Sequence, residues 1–196
     1  MQRPPMHIPF SGTIKSIVIN HVAENYYREY TKGWTFSKYR KDTIQSETND
    51  WFKYYLPVDL KGKVVLDVGA GEGESALFFL RHGASHVYCI ECCDYAFQNL
   101  KLNARNCARI TPIHKLFDLQ DLERKVDFLK MDIEGYEEVL LSADIKIPAV
   151  VEVHGLQLRD KFKSAGWQIK SPTFVNTVGY GSAPGCTCYA YINTQN

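Results

Sequence analysis

The sequence predicts an α/β fold, because short apolar runs alternate with helical patterns from residue 62 onward. Such alternation is typical of parallel strands joined by helical crossovers. Toward the end of the sequence, two further strand patterns flank a turn rich in glycine and proline, which predicts an antiparallel hairpin. We therefore expect a Rossmann-like, mostly parallel seven-stranded sheet with helices on both faces, formed by residues 61–196 and preceded by an N-terminal extension at residues 1–60.

Each predicted strand is a short run rich in apolar and β-branched residues. In chain order the predicted strands are Val64–Val68, His86–Ile90, Ile110–His114, Val126–Met131, Pro148–Val153, Trp167–Phe174 and Cys186–Ile192. Most segments between them space their apolar residues as a helix does, and Gly83 closes the first such segment. The predicted helices are Ser75–His82, Tyr95–Arg105, Glu137–Ser142 and Gln157–Ala165, while the polar stretch Asp118–Lys125 is expected to form a loop or one helical turn.

The N-terminal extension differs in composition from the rest of the chain. Thr13–Asn20 alternates weakly as a strand, and Ser46–Leu56 is expected to form a helix that ends before Pro57. Ten aromatic residues lie between Tyr26 and Tyr55, interleaved with basic side chains. Such side chains could form a substrate lid or a stacking platform, but packing of the extension onto the sheet is the favoured interpretation.

Composition places the chain among ordinary globular proteins. Its 196 residues are 45% hydrophobic and 23% charged, with a formal net charge of +1 at pH 7. This near-neutral balance argues against tight, charge-driven binding of nucleic acid. No apolar run approaches the length of a membrane span, and Met1–Phe10 lacks the apolar core of a secretory signal. We therefore expect a cytoplasmic protein without a membrane partner.

The six cysteines raise the question of a metal site. A Cys-x-x-Cys spacing at Cys89 and Cys92 and a Cys-x-Cys spacing at Cys186 and Cys188 could together bind zinc through thiolates. Cys89, however, lies within an apolar strand pattern, where a thiol usually acts as a small buried hydrophobic group. We expect reduced thiols and no metal.

The segment Val64–Glu74 (VVLDVGAGEGE) predicts a ligand-binding loop between a strand and a helix. Its glycines can adopt positive φ and let the backbone approach a ligand closely. The G-x-G-x-G spacing differs from the G-x-G-x-x-G of dinucleotide-binding proteins, and three carboxylates but no basic residue lie in or beside the loop. A cationic or zwitterionic nucleotide-like ligand such as S-adenosylmethionine (SAM) therefore fits better than a pyrophosphate. The cofactor-binding candidates here are Asp67, Gly69, Gly71 and Gly73.

Two further strand ends offer contacts to a nucleotide. Glu91 closes the second strand, 24 residues beyond Asp67, near the separation at which an acidic residue binds ribose hydroxyls. Cys92, the next residue, is also predicted to contact the cofactor. Phe117 and Asp118 follow the third strand and are placed to stack on an adenine and to hydrogen-bond it.

Several titratable residues follow the fourth and fifth strands. Asp132 and Glu134 come after the fourth, and Glu152 and His154 end the fifth. Because the carboxyl ends of parallel strands meet at one sheet edge, these side chains should converge beside the glycine loop, as in a chemical site. The catalytic candidates are Asp132, Glu134 and His154, with His154 as a general base near neutral pH and Asp132 also beside the cofactor. Alternatively, the two acids only cap the next helix, and His154 is structural.

The loop Asp67–Gly73, the acid Glu91 and above all Leu129–Leu140 (LKMDIEGYEEVL) resemble the FkbM-type SAM-dependent methyltransferases. The resemblance covers about residues 62–155, and its specific part is Lys130–Glu137 (KMDIEGYE). It implies a class I sheet whose seventh strand is antiparallel, SAM as the methyl donor and, most often, a hydroxyl oxygen as the acceptor.

The expected activity is therefore methyl transfer to a hydroxyl oxygen of a small molecule or glycan. Because the sulfonium methyl is already activated, the protein mainly aligns the reactants and excludes water, and a hydroxyl nucleophile also needs a base. Two alternatives stay open. One is an RNA methyltransferase that uses the aromatic and basic segment Tyr26–Lys41, and the other is a SAM-binding module that regulates a partner without catalysis.

Overall fold

The computed structural model describes residues 28–170 and 187–193. The strands are β1 (Val64–Val68), β2 (His86–Glu91), β3 (Ile110–His114), β4 (Phe128–Met131), β5 (Ala149–His154), β6 (Gln168–Lys170) and β7 (Thr187–Ile192). The α-helices are α1 (Lys38–Tyr54), α2 (Glu74–Arg81), α3 (Asp94–Arg105) and α4 (Leu156–Ser164), and 3₁₀ helices cover Leu119–Glu123 and Glu137–Ser142. Within these described ranges, every helix is too short or too polar to cross a membrane.

The strands form one seven-stranded sheet in the order β3-β2-β1-β4-β5-β7-β6. Strands β1 to β5 run parallel to one another, whereas β7 pairs antiparallel with both β5 and β6. The predicted Rossmann-like, mostly parallel sheet is thereby confirmed. The strand order reverses between β1 and β4, which is where ligands bind in open α/β sheets.

The C-terminal strands follow the predicted pattern with shorter bounds. The predicted strand Trp167–Phe174 is described only as Gln168–Lys170, and the residues that join it to β7 lie outside the described ranges. The antiparallel pairing of β6 with β7 is present, with Ile169 opposite Ala190. Earlier in the chain, the predicted helix at residues 137–142 is a 3₁₀ helix with those bounds.

Apolar side chains cover both faces of the sheet, because successive residues of a strand point to opposite sides. Val65 of β1 belongs to one cluster with Phe78 of α2 and Leu100 of α3. Leu66, the next residue, belongs to a second cluster with Phe162 of α4. Helices therefore lie on both faces, as predicted.

Helix α1 packs the described part of the N-terminal extension against this sheet. It begins at Lys38, eight residues before the predicted start, with Ser37 as its N-cap, because the polar first turns of the helix carry no apolar periodicity. Trp51 is 3% exposed and meets the ring of Phe78 edge to face, with centroids 5.8 Å apart. Of the extension's aromatic residues, Tyr30, Phe36, Trp51, Tyr54 and Tyr55 are buried, Trp34 and Phe52 are partly buried, and Tyr39 is exposed. The predicted strand at residues 13–20 lies outside the described ranges.

Candidate active site

A cavity of about 340 Å³ opens at the carboxyl ends of the parallel strands. Segments that follow β1, β2, β3 and β4 form its wall, and α1 contributes side chains from the extension. Residues that line it include Arg40, Tyr55, Gly69, Glu91, Phe117 and Asp132. The cavity thus joins the glycine loop to the acidic residues beyond β4, as the strand ends predicted.

The glycine loop is held close to the segment after β4. Gly69 has a φ of +73°, and a Cβ atom at this position would lie 1.7 Å from the carbonyl oxygen of Asp132. Only glycine permits both this backbone conformation and this approach. Gly71 and Gly73 also have positive φ, but only Gly69 of the three borders the cavity.

Asp67 lies beneath the loop and does not border the cavity. Its side chain is fully buried, with Oδ1 3.2 Å from Nζ of Lys130 and Oδ2 accepting a hydrogen bond of 2.6 Å from the Ser75 hydroxyl. Burial alone lowers the pKa of Lys130, but the charge and hydrogen bond of Asp67, together with the charges of Asp132 and Glu152, outweigh burial and raise that pKa. Asp67 therefore holds the loop in place, and a direct cofactor contact remains a prediction.

Glu91 connects β2 to the glycine loop at the cavity wall. Its Oε2 accepts a hydrogen bond of 2.8 Å from the N–H of Gly71, and its Oε1 accepts one of 2.7 Å from the N–H of Cys93. The side chain is 7% exposed and borders the cavity together with Cys92. The two residues therefore lie where a cofactor contact was predicted.

Of the two predicted adenine contacts after β3, only Phe117 borders the cavity. Phe117 is buried and borders the cavity, as a residue that stacks on adenine must. Asp118 caps the first 3₁₀ helix instead, since its side chain accepts a hydrogen bond from the N–H of Gln120 and lies 2.6 Å from Nζ of Lys115. The Lys115 ammonium lowers the pKa of Asp118. Asp118 does not border the cavity, so the predicted bond to adenine has no geometric support.

The predicted catalytic residues converge beyond β4 and β5. The Nε2 atom of His154 lies 3.8 Å from Oδ1 of Asp132 and 3.6 Å from Oε2 of Glu134. Asp132 and Glu134 border the cavity, whereas His154 lies behind them. Glu152 turns toward α1, where its Oε2 accepts a hydrogen bond of 2.8 Å from the Tyr55 hydroxyl.

Glu137, which the sequence did not single out, holds this group together. Its side chain is 0% exposed, and Oε1 lies 3.0 Å from Nδ1 of His154. The same oxygen accepts hydrogen bonds from the N–H groups of Ile133 and Gly135, within a turn where Glu134 has a φ of +56°. The final glutamate of KMDIEGYE was its only sequence signal.

A general base near neutral pH requires a neutral imidazole, and the surroundings of His154 favour the protonated form instead. Burial alone lowers the pKa of His154, but its hydrogen bond to Glu137 and the charge of Asp132 outweigh burial and raise the pKa to about 9. The imidazole is then mostly protonated at neutral pH and cannot accept a proton there. The predicted role of a general base near pH 7 therefore does not fit the surroundings of His154.

Helix α1 contributes a residue that no local pattern indicated. Nη1 of Arg40 lies 3.0 Å from Oε1 of Glu74, and both residues border the cavity. Burial is the main cause that raises the pKa of Glu74 to about 7, although Arg40 opposes it. Nearby, Glu72 accepts a hydrogen bond of 2.6 Å from the N–H of Ser37. These contacts fasten the start of α1 to the glycine loop.

The cysteines that the structure describes are thiols and form no disulfide. Cys89 and Cys188 are buried and Cys92 and Cys93 are exposed, while Cys186 lies outside the described ranges.

A different group could hold a cation, because Asp132, Glu137 and His154 each bring one potential ligand atom within 4.8 Å of the others.

Sequence comparison relates the chain to protein methyltransferases. It is 31% identical over 117 residues to protein arginine N-methyltransferase 1.1 of Arabidopsis thaliana, covering 58% of this chain and 30% of that protein. It is 32% identical over 113 residues to protein arginine N-methyltransferase 6 of Danio rerio, covering 57% of this chain and 32% of that protein. The chain thus spans about a third of the length of these relatives. No protein-family model matches it.

Solved structures share the fold at low sequence identity. Fibrillarin of Aeropyrum pernix, solved with bound SAM, matches with a TM-score of 0.51 and 15% identity over 68% of each chain. Precorrin-6Y C5,15-methyltransferase of Geobacter metallireducens matches with a TM-score of 0.55 and 13% identity, covering 81% of this chain and 92% of that one. The chain therefore has the fold of class I SAM-dependent methyltransferases.

Proposed function

We propose that this chain is a SAM-dependent methyltransferase with its cofactor in the cavity above the glycine loop. The observation that carries the proposal is the position of Glu91, which ends β2, borders the cavity and accepts the hydrogen bond from Gly71 of the loop. An acidic residue at this strand end is suited to bind ribose hydroxyls. The fold and the methyltransferase names of the relatives support the same proposal.

The residues along the cavity fit this cofactor. Glu91 would accept hydrogen bonds from the ribose, and the ring of Phe117 offers an apolar face to the adenine. Gly69 leaves room for close approach of a ligand to the backbone, and the carboxylate of Asp132 suits a positively charged group. When bound, SAM supplies an activated methyl group, which is transferred from sulfur to the acceptor atom.

Asp132 and Glu134 would meet the acceptor, because both border the same cavity beyond β4. Either carboxylate could take the proton that a hydroxyl acceptor loses. His154 is less suited to this step, since Nδ1 is bonded to Glu137 and Nε2 faces the two carboxylates. Its role in the proposal is to fix where those carboxylates lie.

For the acceptor we propose a hydroxyl oxygen of a small molecule or glycan. The support is the resemblance of Leu129–Leu140 to the FkbM-type enzymes, whose acceptor is most often a hydroxyl. In the fold, this segment forms β4, the acidic turn and the start of the second 3₁₀ helix. The FkbM subtype itself stays a prediction from the sequence.

A second candidate acceptor is a guanidinium nitrogen of a protein arginine. The relatives named above are protein arginine N-methyltransferases, and an acidic edge attracts a cationic side chain. The alternative of an RNA acceptor loses part of its support, because Tyr30 and Phe36 of the segment Tyr26–Lys41 are buried and cannot stack on bases, whereas Tyr39 is exposed. A regulatory module would bind SAM without transferring its methyl group.

Calorimetry with SAM and transfer of a labelled methyl group into fractionated cell extract test these proposals together. We expect SAM to bind in a one-to-one ratio and label to enter the small-molecule or glycan fraction. Label confined to protein would favour the arginine acceptor, and label in RNA would favour the nucleic-acid alternative. Binding without any transfer would favour the regulatory module, and failure to bind SAM would overturn the proposal.

A further inference from the structure

We propose that Asp132, Glu137 and His154 bind a divalent cation at the acceptor end of the cavity, and that this cation takes a hydroxyl oxygen of the acceptor. The three residues come from different elements: the turn after β4, the second 3₁₀ helix and the end of β5. The binding of the cation is independent of the reaction, whereas its role toward the acceptor rests on the proposed methyltransferase function.

The spacing of the three side chains suits a small cation. One potential ligand atom from each residue lies within 4.8 Å of the other two. His154 Nδ1 is 3.0 Å from Glu137 Oε1, and Nε2 is 3.8 Å from Asp132 Oδ1. Two neighbouring ligands of an octahedral cation, each about 2.1 Å from it, are about 3.0 Å apart. Only one of the two ring nitrogens of His154 can bind the ion, and the geometry that supports the site is the mutual distance of no more than 4.8 Å among the three ligand atoms.

A buried oxygen of Glu137 also calls for a partner. The Glu137 side chain is 0% exposed, and its Oε1 accepts the hydrogen bonds described above. Its other oxygen, Oε2, is buried without a hydrogen-bond partner among the described residues. Such an oxygen is costly to leave unpaired. A cation that the Glu137 carboxylate binds through both oxygens would supply the missing interaction.

The local balance of charge favours a cation as well. Glu134 and Glu152 add carboxylates beside the cluster, with Glu134 Oε2 3.6 Å from His154 Nε2. Two lysines nearby have other partners: Lys130 is paired with the buried Asp67, and Lys161 with Glu138. Lys130 also interacts with Asp132, so His154 and, in part, Lys130 offset the negative charge of the cluster.

The donor set indicates which cation fits. Two carboxylates and one imidazole suit Mg²⁺, Mn²⁺ or another first-row divalent metal, and three protein ligands leave positions open for water or substrate. The sequence prediction of no metal considered only the cysteine spacings. The three residues of this cluster have no metal-binding spacing in the sequence. They meet because β5, which ends at His154, pairs with β4, which leads into the turn at Asp132.

The position of the cluster beside the cavity gives the cation a function. Asp132 belongs both to the cluster and to the cavity wall. Coordination to a cation makes a hydroxyl more acidic, and Glu134 would accept the proton that it releases. The new bond then forms between oxygen and the methyl carbon, while the carbon–sulfur bond breaks and its electron pair stays on sulfur. Such a site favours a hydroxyl acceptor, because a cation repels a guanidinium group.

Titration of the chelator-treated protein with Mn²⁺ tests the site directly. The titration is done at about pH 8.5, because binding through the imidazole releases its proton and a higher pH favours that release. We expect one Mn²⁺ per chain, and at least about tenfold weaker binding in Glu137→Gln. Asp132→Asn, at a partly exposed position, should weaken binding as well and serves if Glu137→Gln does not fold. The matched control is Glu138→Gln, because Glu138 is exposed and pairs with Lys161 outside the cluster.

Absence of Mn²⁺ binding at millimolar concentration, or equal binding in wild type and Asp132→Asn, would overturn the site. SAM calorimetry and methyl transfer with and without EDTA separate this outcome from a failure of the proposed function. We expect EDTA to leave SAM binding intact and to reduce transfer at least about tenfold, with Mn²⁺ restoring it. Transfer that EDTA does not change would overturn the role of the cation. Mn²⁺ binding without SAM binding would overturn the methyltransferase proposal and leave the cation site standing.

Discussion

The ammonium nitrogen of Lys130 lies 3.2 Å from Oδ1 of Asp67, and the two side chains are 2% and 0% exposed. The register of the sheet causes this contact, since Asp67 of β1 is paired with Lys130 of β4. Nζ of Lys130 also donates a hydrogen bond of 2.9 Å to the carbonyl of Gly69. The ion pair thus lies directly beneath the glycine loop and connects it to the strand that leads to Asp132.

We predict that Asp67→Ala destabilises the protein by about 3–5 kcal/mol, because it leaves the ammonium of Lys130 buried without its partner. Urea unfolding of the variant measures the loss. The double variant Asp67→Asn with Lys130→Met removes both charges and should recover most of the stability. A double variant as unstable as Asp67→Ala would contradict this account.

Gly69→Ala should disrupt the fold more than its backbone conformation alone explains. A Cβ atom there would lie 1.7 Å from the Asp132 carbonyl oxygen, in addition to the strain of a φ of +73°. The matched control is Gly62→Ala, since Gly62 has a φ of +74° and nothing within 4 Å of the added atom. We expect about 1 kcal/mol of destabilisation for Gly62→Ala and a clearly larger loss for Gly69→Ala. Equal losses in thermal or urea unfolding would show that the close approach to Asp132 has no energetic effect.

Glu91→Gln should weaken SAM binding by about 10- to 100-fold, because it removes the charge from the group proposed to bind the ribose. The amide oxygen can still accept one of the two backbone hydrogen bonds that Glu91 now accepts, so most of the fold should be retained. Calorimetry with SAM measures the effect. The control is Asp118→Asn, which changes a carboxylate that caps a 3₁₀ helix outside the cavity. Stronger loss of SAM affinity in Asp118→Asn than in Glu91→Gln would support the original prediction for Asp118.

The pKa of Glu74 gives the stability of the protein a pH dependence. Burial raises it from 4.5 to about 7, so the folded state favours the protonated form. The resulting stabilisation is fully present below pH 4.5 and is lost as the pH rises through about 7. The change is at most about 3 kcal/mol.

Glu74→Gln should therefore flatten the decrease in unfolding free energy between about pH 5 and pH 8. Urea unfolding at both pH values measures the slope, which is compared between variants because the substitution also removes the contact with Arg40. Glu29→Gln is the control, since the Glu29 side chain is 72% exposed. If wild type and Glu74→Gln show the same slope, Glu74 does not titrate in this range.

The sheet and the glycine loop were predictable because their signals are local. Apolar runs of strand length marked β1 to β5 within a few residues, and the G-x-G-x-G spacing marked the turn after β1. The start of α1 was missed, since its first turns are polar and are held by the Ser37 cap together with tertiary contacts to Glu72 and Glu74. The sequence could not separate Asp118 from Phe117, because the cavity wall at Phe117 and the cap of the next helix at Asp118 are adjacent positions.

The sequence by itself determined the fold class, the ligand loop and the set of acidic residues at the strand ends, because periodicity and glycine spacing act over a few residues. Only the tertiary structure decided which of these groups meet and in which charge state. The Tyr55 hydroxyl reaches Glu152 across 97 positions of sequence, and Glu137 reaches His154 across 17. Such contacts depend on strand order, and burial together with neighbouring charges then sets the pKa of each group, which no local pattern records.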